Sequence, residues 1–89
     1  MWVQVIWDLE DDPHGNLQHI AEHGVTPDEV EEILRDRHSQ TAYSNSSGRP
    51  ITFGWTGHGR YLAVIWELVD RDPLVAYPVT AYEAPEPGR

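Results

Sequence analysis

Cysteine is absent from this 89-residue chain. Disulfides and Cys-ligated zinc are therefore excluded, and a reducing compartment is compatible with the composition. Lysine is absent as well. All six basic residues are Arg, against fifteen Asp/Glu, for a net charge of −9. A total this acidic argues against sequence-blind nucleic-acid binding, which rests on neutralising phosphates. No apolar run approaches the ~20 residues that a membrane helix needs. The opening Met-Trp-Val-Gln carries no basic segment of the kind that begins a secretory leader, which points to the cytoplasm.

The acid is unevenly spread. Residues 8–37 hold ten Asp/Glu against two Arg, and residues 38–89 hold five against four. The first stretch invites an Arg/Lys-rich partner, although a merely solvated acidic surface explains it equally well. With 39% hydrophobic residues and four Trp, one compact domain is expected. It should cover residues 1–84 and be followed by a flexible tail, rich in Pro and Gly, over 85–89.

The longest apolar run, Arg60–Val69, reads as a central strand, because both of its alternating residue sets are apolar. Strand-like runs flank it at Ile51–Trp55 and Leu74–Tyr82, beyond turn signals at Thr56–Gly59 and Asp70–Pro73. A three-stranded antiparallel meander is predicted. Tight turns would set Trp55 opposite Arg60 and Val69 opposite Leu74. Ile51, Phe53, Trp55, Leu62, Val64 and Trp66 would then face the helices. Thr52, Gly54, Tyr61, Ala63, Ile65, Thr80 and Tyr82 would form a half-polar outer face.

Upstream, Trp2–Trp7 alternates like a first strand. Asp12-Pro13 reads as the cap and first position of a helix, and Gly24 as its terminator. The strongest local signal is Thr26-Pro27-Asp28-Glu29, a capping box with Pro at the first helical position and Val25 and Val30 as a hydrophobic staple. His38–Gly48 is polar and reads as a mobile loop. It contains an Asn45-Ser-Ser47 sequon, to which no weight is given without a secretory signal. The fold class is α+β, ordered βααβββ, with a two-helix hairpin on one face of an antiparallel sheet.

Four groups of residues bear on chemistry. His19-Ile-Ala-Glu-His23 matches an H-x-x-E-H zinc pattern, but no third ligand suggests itself, and helix capping is the favoured reading. Arg60, after a Gly-His-Gly turn, suits phosphate or phosphorane stabilisation. With His58 or Tyr82 nearby it would supply the cation, acid and base of a metal-free ribonuclease, whereas an ion pair to Asp8 or Glu83 is the structural alternative. Arg49 has the same two readings. Tyr61, Tyr82 and Trp55 are candidate base-stacking side chains, or ordinary cross-strand packing.

The chain also resembles a known family across nearly its whole length. Trp7-Asp8, Asn16, Glu22-His23-Gly24-Val25 before an acidic helix, Arg49, Gly54, Gly59-Arg60 and the final Thr80-Ala81-Tyr82-Glu83-Ala84 occur in the order seen in BrnT toxins of type II toxin–antitoxin pairs. That resemblance implies a RelE-like fold and a metal-free ribonuclease that stalls translation. Arg60, Arg49, His58 and Tyr82 would be catalytic, Tyr61 and Trp55 would bind RNA, no cofactor would be needed, and a cognate antitoxin would neutralise the protein. Two positions depart from the family pattern: Glu22 stands where a Lys is usual, and Tyr82-Glu83 where Ala81 is usually followed by Arg. The alternative is a catalytically silent module of the same fold that binds a basic protein through Glu29, Glu31 and Glu32.

Overall fold

The computed structural model describes residues 2–88; Met1, and Arg89 of the expected tail, lie outside the described residues. The order is β1 (Gln4–Val5), α1 (Asn16–Glu22), α2 (Pro27–Arg35), β2 (Gln40–Tyr43), β3 (Pro50–Trp55), β4 (Tyr61–Arg71) and β5 (Leu74–Glu83). The five strands make one sheet in the order β1-β5-β4-β3-β2. The α+β class holds. The sheet is mixed rather than antiparallel, because β1 runs parallel to β5 through Gln4↔Val75 and Val5↔Ala76.

The helix starts divide by how local their signals are. Thr26 and Glu29 cap α2 reciprocally: the Glu29 amide donates to Thr26 Oγ1 at 3.2 Å and the Thr26 amide to Glu29 Oε1 at 3.0 Å. Helix α1 ends as expected. Gly24 adopts φ +71°, its amide bonds Ala21 O at 3.0 Å and the Val25 amide bonds Ile20 O at 3.0 Å, a Schellman closure. Its start is later than Asp12-Pro13 suggests. Asp12 instead closes a turn by accepting the His14 amide at 2.9 Å, and the helix begins at Asn16 after Gly15. Gly15 lies against Asp8, where a methyl group would sit 2.7 Å from the Asp8 Cβ.

Asn16 explains that shift. It is 1% exposed. Its Nδ2 donates to Ile6 O at 3.0 Å and Pro78 O at 2.9 Å, and its Oδ1 accepts the Asp8 amide at 2.9 Å. One side chain thus ties the segment after β1, α1 and β5 together and satisfies three backbone polar groups.

The core joins Ile20, Val25, Val30 and Ile33 of the helical layer to Leu62, Val64 and Ala81 of the sheet, with Trp7, Leu34 and Trp66 packed around them. Both helices therefore cover the same sheet face.

Three further features of the sheet differ from expectation. Strand β2 lies in the expected loop, pairing Gln40↔Phe53 through Tyr43↔Pro50. All four of its residues are exposed, so no apolar alternation marks it. The β3–β4 connection is one residue longer than a four-residue turn, giving Trp55↔Tyr61 rather than Trp55↔Arg60. A slip of one residue turns a strand over. Thr52 and Gly54 consequently face the helices: Thr52 is buried and receives Trp66 Nε1 at 2.9 Å, and Gly54 backs onto Ile33 and Ser39. Ile51, Phe53 and Trp55 join the opposite face. At the other end β4 runs on to Arg71↔Leu74, and a shift between Leu68 and Asp70 leaves Leu68 exposed.

Candidate functional site

Arg60 emerges from the Thr56–Arg60 turn and reaches back to α2. The turn is held by Thr56, whose amide donates to Arg60 O at 2.8 Å and whose Oγ1 accepts the Arg60 amide at 3.1 Å. Gly59 supplies φ +85°. The Arg60 Nη1 donates to both oxygens of Glu29 at 3.0 Å and to Gly24 O at 3.0 Å, while its Nε lies 3.8 Å from Glu83 Oε2. The Glu83 partner matches one structural expectation. The Glu29 partner does not follow from the sequence, which placed these two residues in separate sites.

All three glutamates read as a partner-binding face have partners inside the fold. Glu29 serves Thr26 and Arg60. Glu31 accepts Trp7 Nε1 at 2.8 Å and Arg35 Nη1 at 2.7 Å. Arg35 in turn donates to Val3 O at 3.0 Å, and its guanidinium lies 3.7 Å from the Trp2 ring centre. Glu32 accepts the Gly57 amide at 2.7 Å, bracing the Thr56–Arg60 turn against α2. These carboxylates are crowded on a short helix because each holds something in place.

Of the four candidate catalytic residues, Arg49 lies apart from the other three. His58 and Arg60 share one cleft of about 400 Å3 with Gly24, Thr26, Asp28, Glu29 and Glu32. Arg49 is paired with Glu67, with Nη2 2.9 Å from Oε1. It lies at the far end of β3, about 20 Å from Trp55 at strand spacing. Tyr82 faces Ala63 across the β4–β5 ladder, and its ring packs edge-on to His23 at 6.4 Å. The RNA-stacking candidates do meet. Tyr61 lies 4.9 Å from Trp55 and stacks on Phe53 at 6.2 Å.

Sequence reading missed a second polar cluster. Tyr77 Oη donates to Asp8 Oδ2 at 2.5 Å, and the same oxygen accepts the Asn16 amide at 2.9 Å. The Tyr77 bond, then the Asn16 amide, hold the Asp8 carboxyl below its ordinary range. The Asp8 bond, with burial second, pushes the Tyr77 phenol up to about 12. Trp7-Asp8 was legible as a motif, but its partner 69 positions away was not. A further cavity of about 310 Å3 opens between the C-terminal end of α2 and the sheet, lined by Leu34, Arg37, Thr52, Trp66 and Leu74 among others.

Among the described residues no group of three or more His, Asp or Glu is placed to hold a metal ion, and no helix is long and apolar enough to cross a membrane. Comparison with known proteins returned no matching family model, no curated relative and no similar solved structure.

Proposed function

We propose that this chain is a catalytically silent, toxin-like module that binds a basic protein partner, and that the partner is received in the cleft between the first turns of α2 and the Thr56–Arg60 turn. The observation that carries this reading is the Arg60–Glu29 pair. It takes the cation that RNA cleavage would need and sets it against a carboxylate whose side chain is only 13% exposed. With Arg60 neutralised by Glu29, Asp28 and Glu32 leave the cleft negative. A phosphate meets repulsion there, and an Arg or Lys side chain meets complement. The resemblance to BrnT toxins supplies the kind of partner, a basic antitoxin-like polypeptide.

A metal-free ribonuclease is the competing reading, since His58 and Arg60 line the same cleft. Inducible expression of the chain alone in a bacterial host, following growth and total RNA, separates the two. Healthy growth with intact RNA is expected. Growth arrest with RNA decay, abolished by Arg60→Ala in a folded protein, would overturn the silent module. Calorimetry with an oligo-arginine peptide then tests the cleft: the double variant Asp28→Lys/Glu32→Lys should lose the binding that the parent shows.

A further inference from the structure

The helical layer is shorter than the sheet it covers. Strand β4 runs eleven residues, about 36 Å at strand spacing, whereas the nine residues of α2 span about 14 Å. Helix α2 ends at Arg35, and the chain turns there to enter β2, with the Ser39 amide donating to Asp36 O at 3.1 Å. Beyond that end lies the cavity of about 310 Å3. Val3, Leu34, Trp66, Leu74 and Ala76 give it apolar walls.

The uncharged polar groups of the cavity have donors to spare. Trp66 Nε1 donates to Thr52 Oγ1 at 2.9 Å, and Thr52 Oγ1 lies 2.8 Å from Thr41 Oγ1. Both threonines line the cavity. Their two hydroxyls share one bond, so among the described residues one O–H proton is uncommitted whichever way that bond runs. Ser39, on the same wall, buries a hydroxyl that has no partner among the described residues. Charge at the rim cancels. Arg35 is held by Glu31 Oε1 and Val3 O, and Asp36 and Arg37 carry opposite signs.

We infer that this cavity binds a small, uncharged, bicyclic aromatic molecule that carries one hydrogen-bond acceptor. It shares no lining residue with the cleft at Asp28 and Glu32, and does not depend on what that cleft receives. Volume sets the size. An apolar cavity of ~150 Å3 receives benzene, and about twice that volume matches two fused rings. It also reaches the lower end of ligand pockets, about 300–1,000 Å3. The walls set the body, since Trp66 beside Leu34 and Leu74 favours an aromatic ring. The spare O–H sets the handle, because an acceptor on the ligand completes it. Charge balance sets neutrality. An ion finds no net counter-charge at the rim, and the −9 of the chain opposes an anion.

Quinoline is the probe, with two fused rings, one ring-nitrogen acceptor and no charge at neutral pH. Titration into the full chain is followed by proton–nitrogen NMR. The expected result is saturable shifts of the Trp66 indole N–H and the Thr41 and Thr52 amides, with a dissociation constant of about 1 mM or tighter. Naphthalene, which has the same shape and no acceptor, should bind about two- to tenfold more weakly. Leu74→Trp, which fills the cavity, should abolish the shifts in a protein that circular dichroism shows to be folded. Absence of saturation would overturn the proposal, as would shifts that persist in folded Leu74→Trp. Equal affinity for naphthalene, or tighter binding of the anion 2-naphthoate or the cation N-methylquinolinium, would overturn the ligand class. Should Leu74→Trp unfold, nuclear Overhauser contacts between quinoline and the parent decide the matter: contacts to Leu34, Trp66 and Leu74 uphold the site, and contacts confined to Phe53, Trp55 and Tyr61 overturn it.

Discussion

Arg60 and Glu29 share two hydrogen bonds of 3.0 Å across 31 positions of sequence, and Glu29 uses the same carboxylate to close the capping box of α2. The ion pair therefore fastens the start of α2 to the turn that opens the central strand. Removing its two members should not cost the same. Arg60→Ala loses a partly exposed pair, about 1 kcal/mol or less. Glu29→Ala loses the pair and the bond its carboxylate accepts from the Thr26 amide, while the backbone amide at position 29 keeps its bond to Thr26 Oγ1; about 1–2 kcal/mol is expected. The double variant should cost less than the sum, because both changes remove one shared contact. Urea midpoints of the four proteins measure this cycle.

Asn16→Ala should be more damaging than either. It leaves the buried carbonyl of Pro78 and the part-buried carbonyl of Ile6 and amide of Asp8 without their side-chain partner. A loss of about 2–3 kcal/mol is expected, which lowers the thermal midpoint by about 10 °C or more in a domain of this size. Asn16→Asp, which keeps the acceptor but cannot donate to either carbonyl, should not rescue it.

Asp8 and Tyr77 predict opposite limbs of a stability–pH curve. Asp8 is held below its ordinary value. Its contribution is thus fully present above the unfolded value of about 4 and is lost as pH falls through the depressed folded value. Tyr77 is raised from 10.0 to about 12. Its contribution is fully present below pH 10 and is lost as pH rises from there toward 12. Tyr77→Phe should flatten the alkaline limb and reduce the acid one, since the same hydrogen bond stands behind both shifts. Denaturant midpoints measured across pH test the sign at each end.

Gly54 and Ser39 give a paired prediction about packing. A methyl at Gly54 would run into Ser39 Oγ and lie 3.2 Å from Ile33 Cδ1. Gly54→Ala should therefore cost about 1–3 kcal/mol by overpacking. The Ser39 hydroxyl is buried with no hydrogen-bond partner among the described residues. Ser39→Ala should be neutral or stabilise by up to about 1 kcal/mol, and should soften the cost of Gly54→Ala when the two are combined. Differential scanning calorimetry of the single and double variants checks both.

What was legible beforehand follows the range of the interactions. Thr26, Pro27 and Glu29 announced α2 because a cap is made within four residues, and Gly24 announced the end of α1 because a left-handed residue favours glycine wherever it occurs. Val30, Ile33, Leu62 and Val64 were readable as core from apolar spacing alone, and all four are fully buried. Strand β2 was not readable. As a solvated edge its register is set by hydrogen bonds to β3, which any polar sequence can make. The candidate site was half legible. His58 and Arg60 were placed together by their shared turn and line one cleft, and the strand register that set Arg60 near the Tyr82/Glu83 end of β5 agrees with its 3.8 Å approach to Glu83. Arg49 was joined to them by residue type, a property that carries no distance, and pairs with Glu67 instead.

By itself, then, the sequence determined the α+β class, both helices, the central strand and the segregation of acid into the helical half, because each depends on neighbours a few residues apart or on composition. Tertiary structure decided which way β3 faces, and with it whether Phe53 and Trp55 lie in the core or on the open sheet. It also decided that Glu29 answers Arg60 and that Asp8 answers Tyr77. These outcomes depend on one extra residue in a turn and on contacts between distant segments, where a shift of one position reverses a face and no local preference resists it.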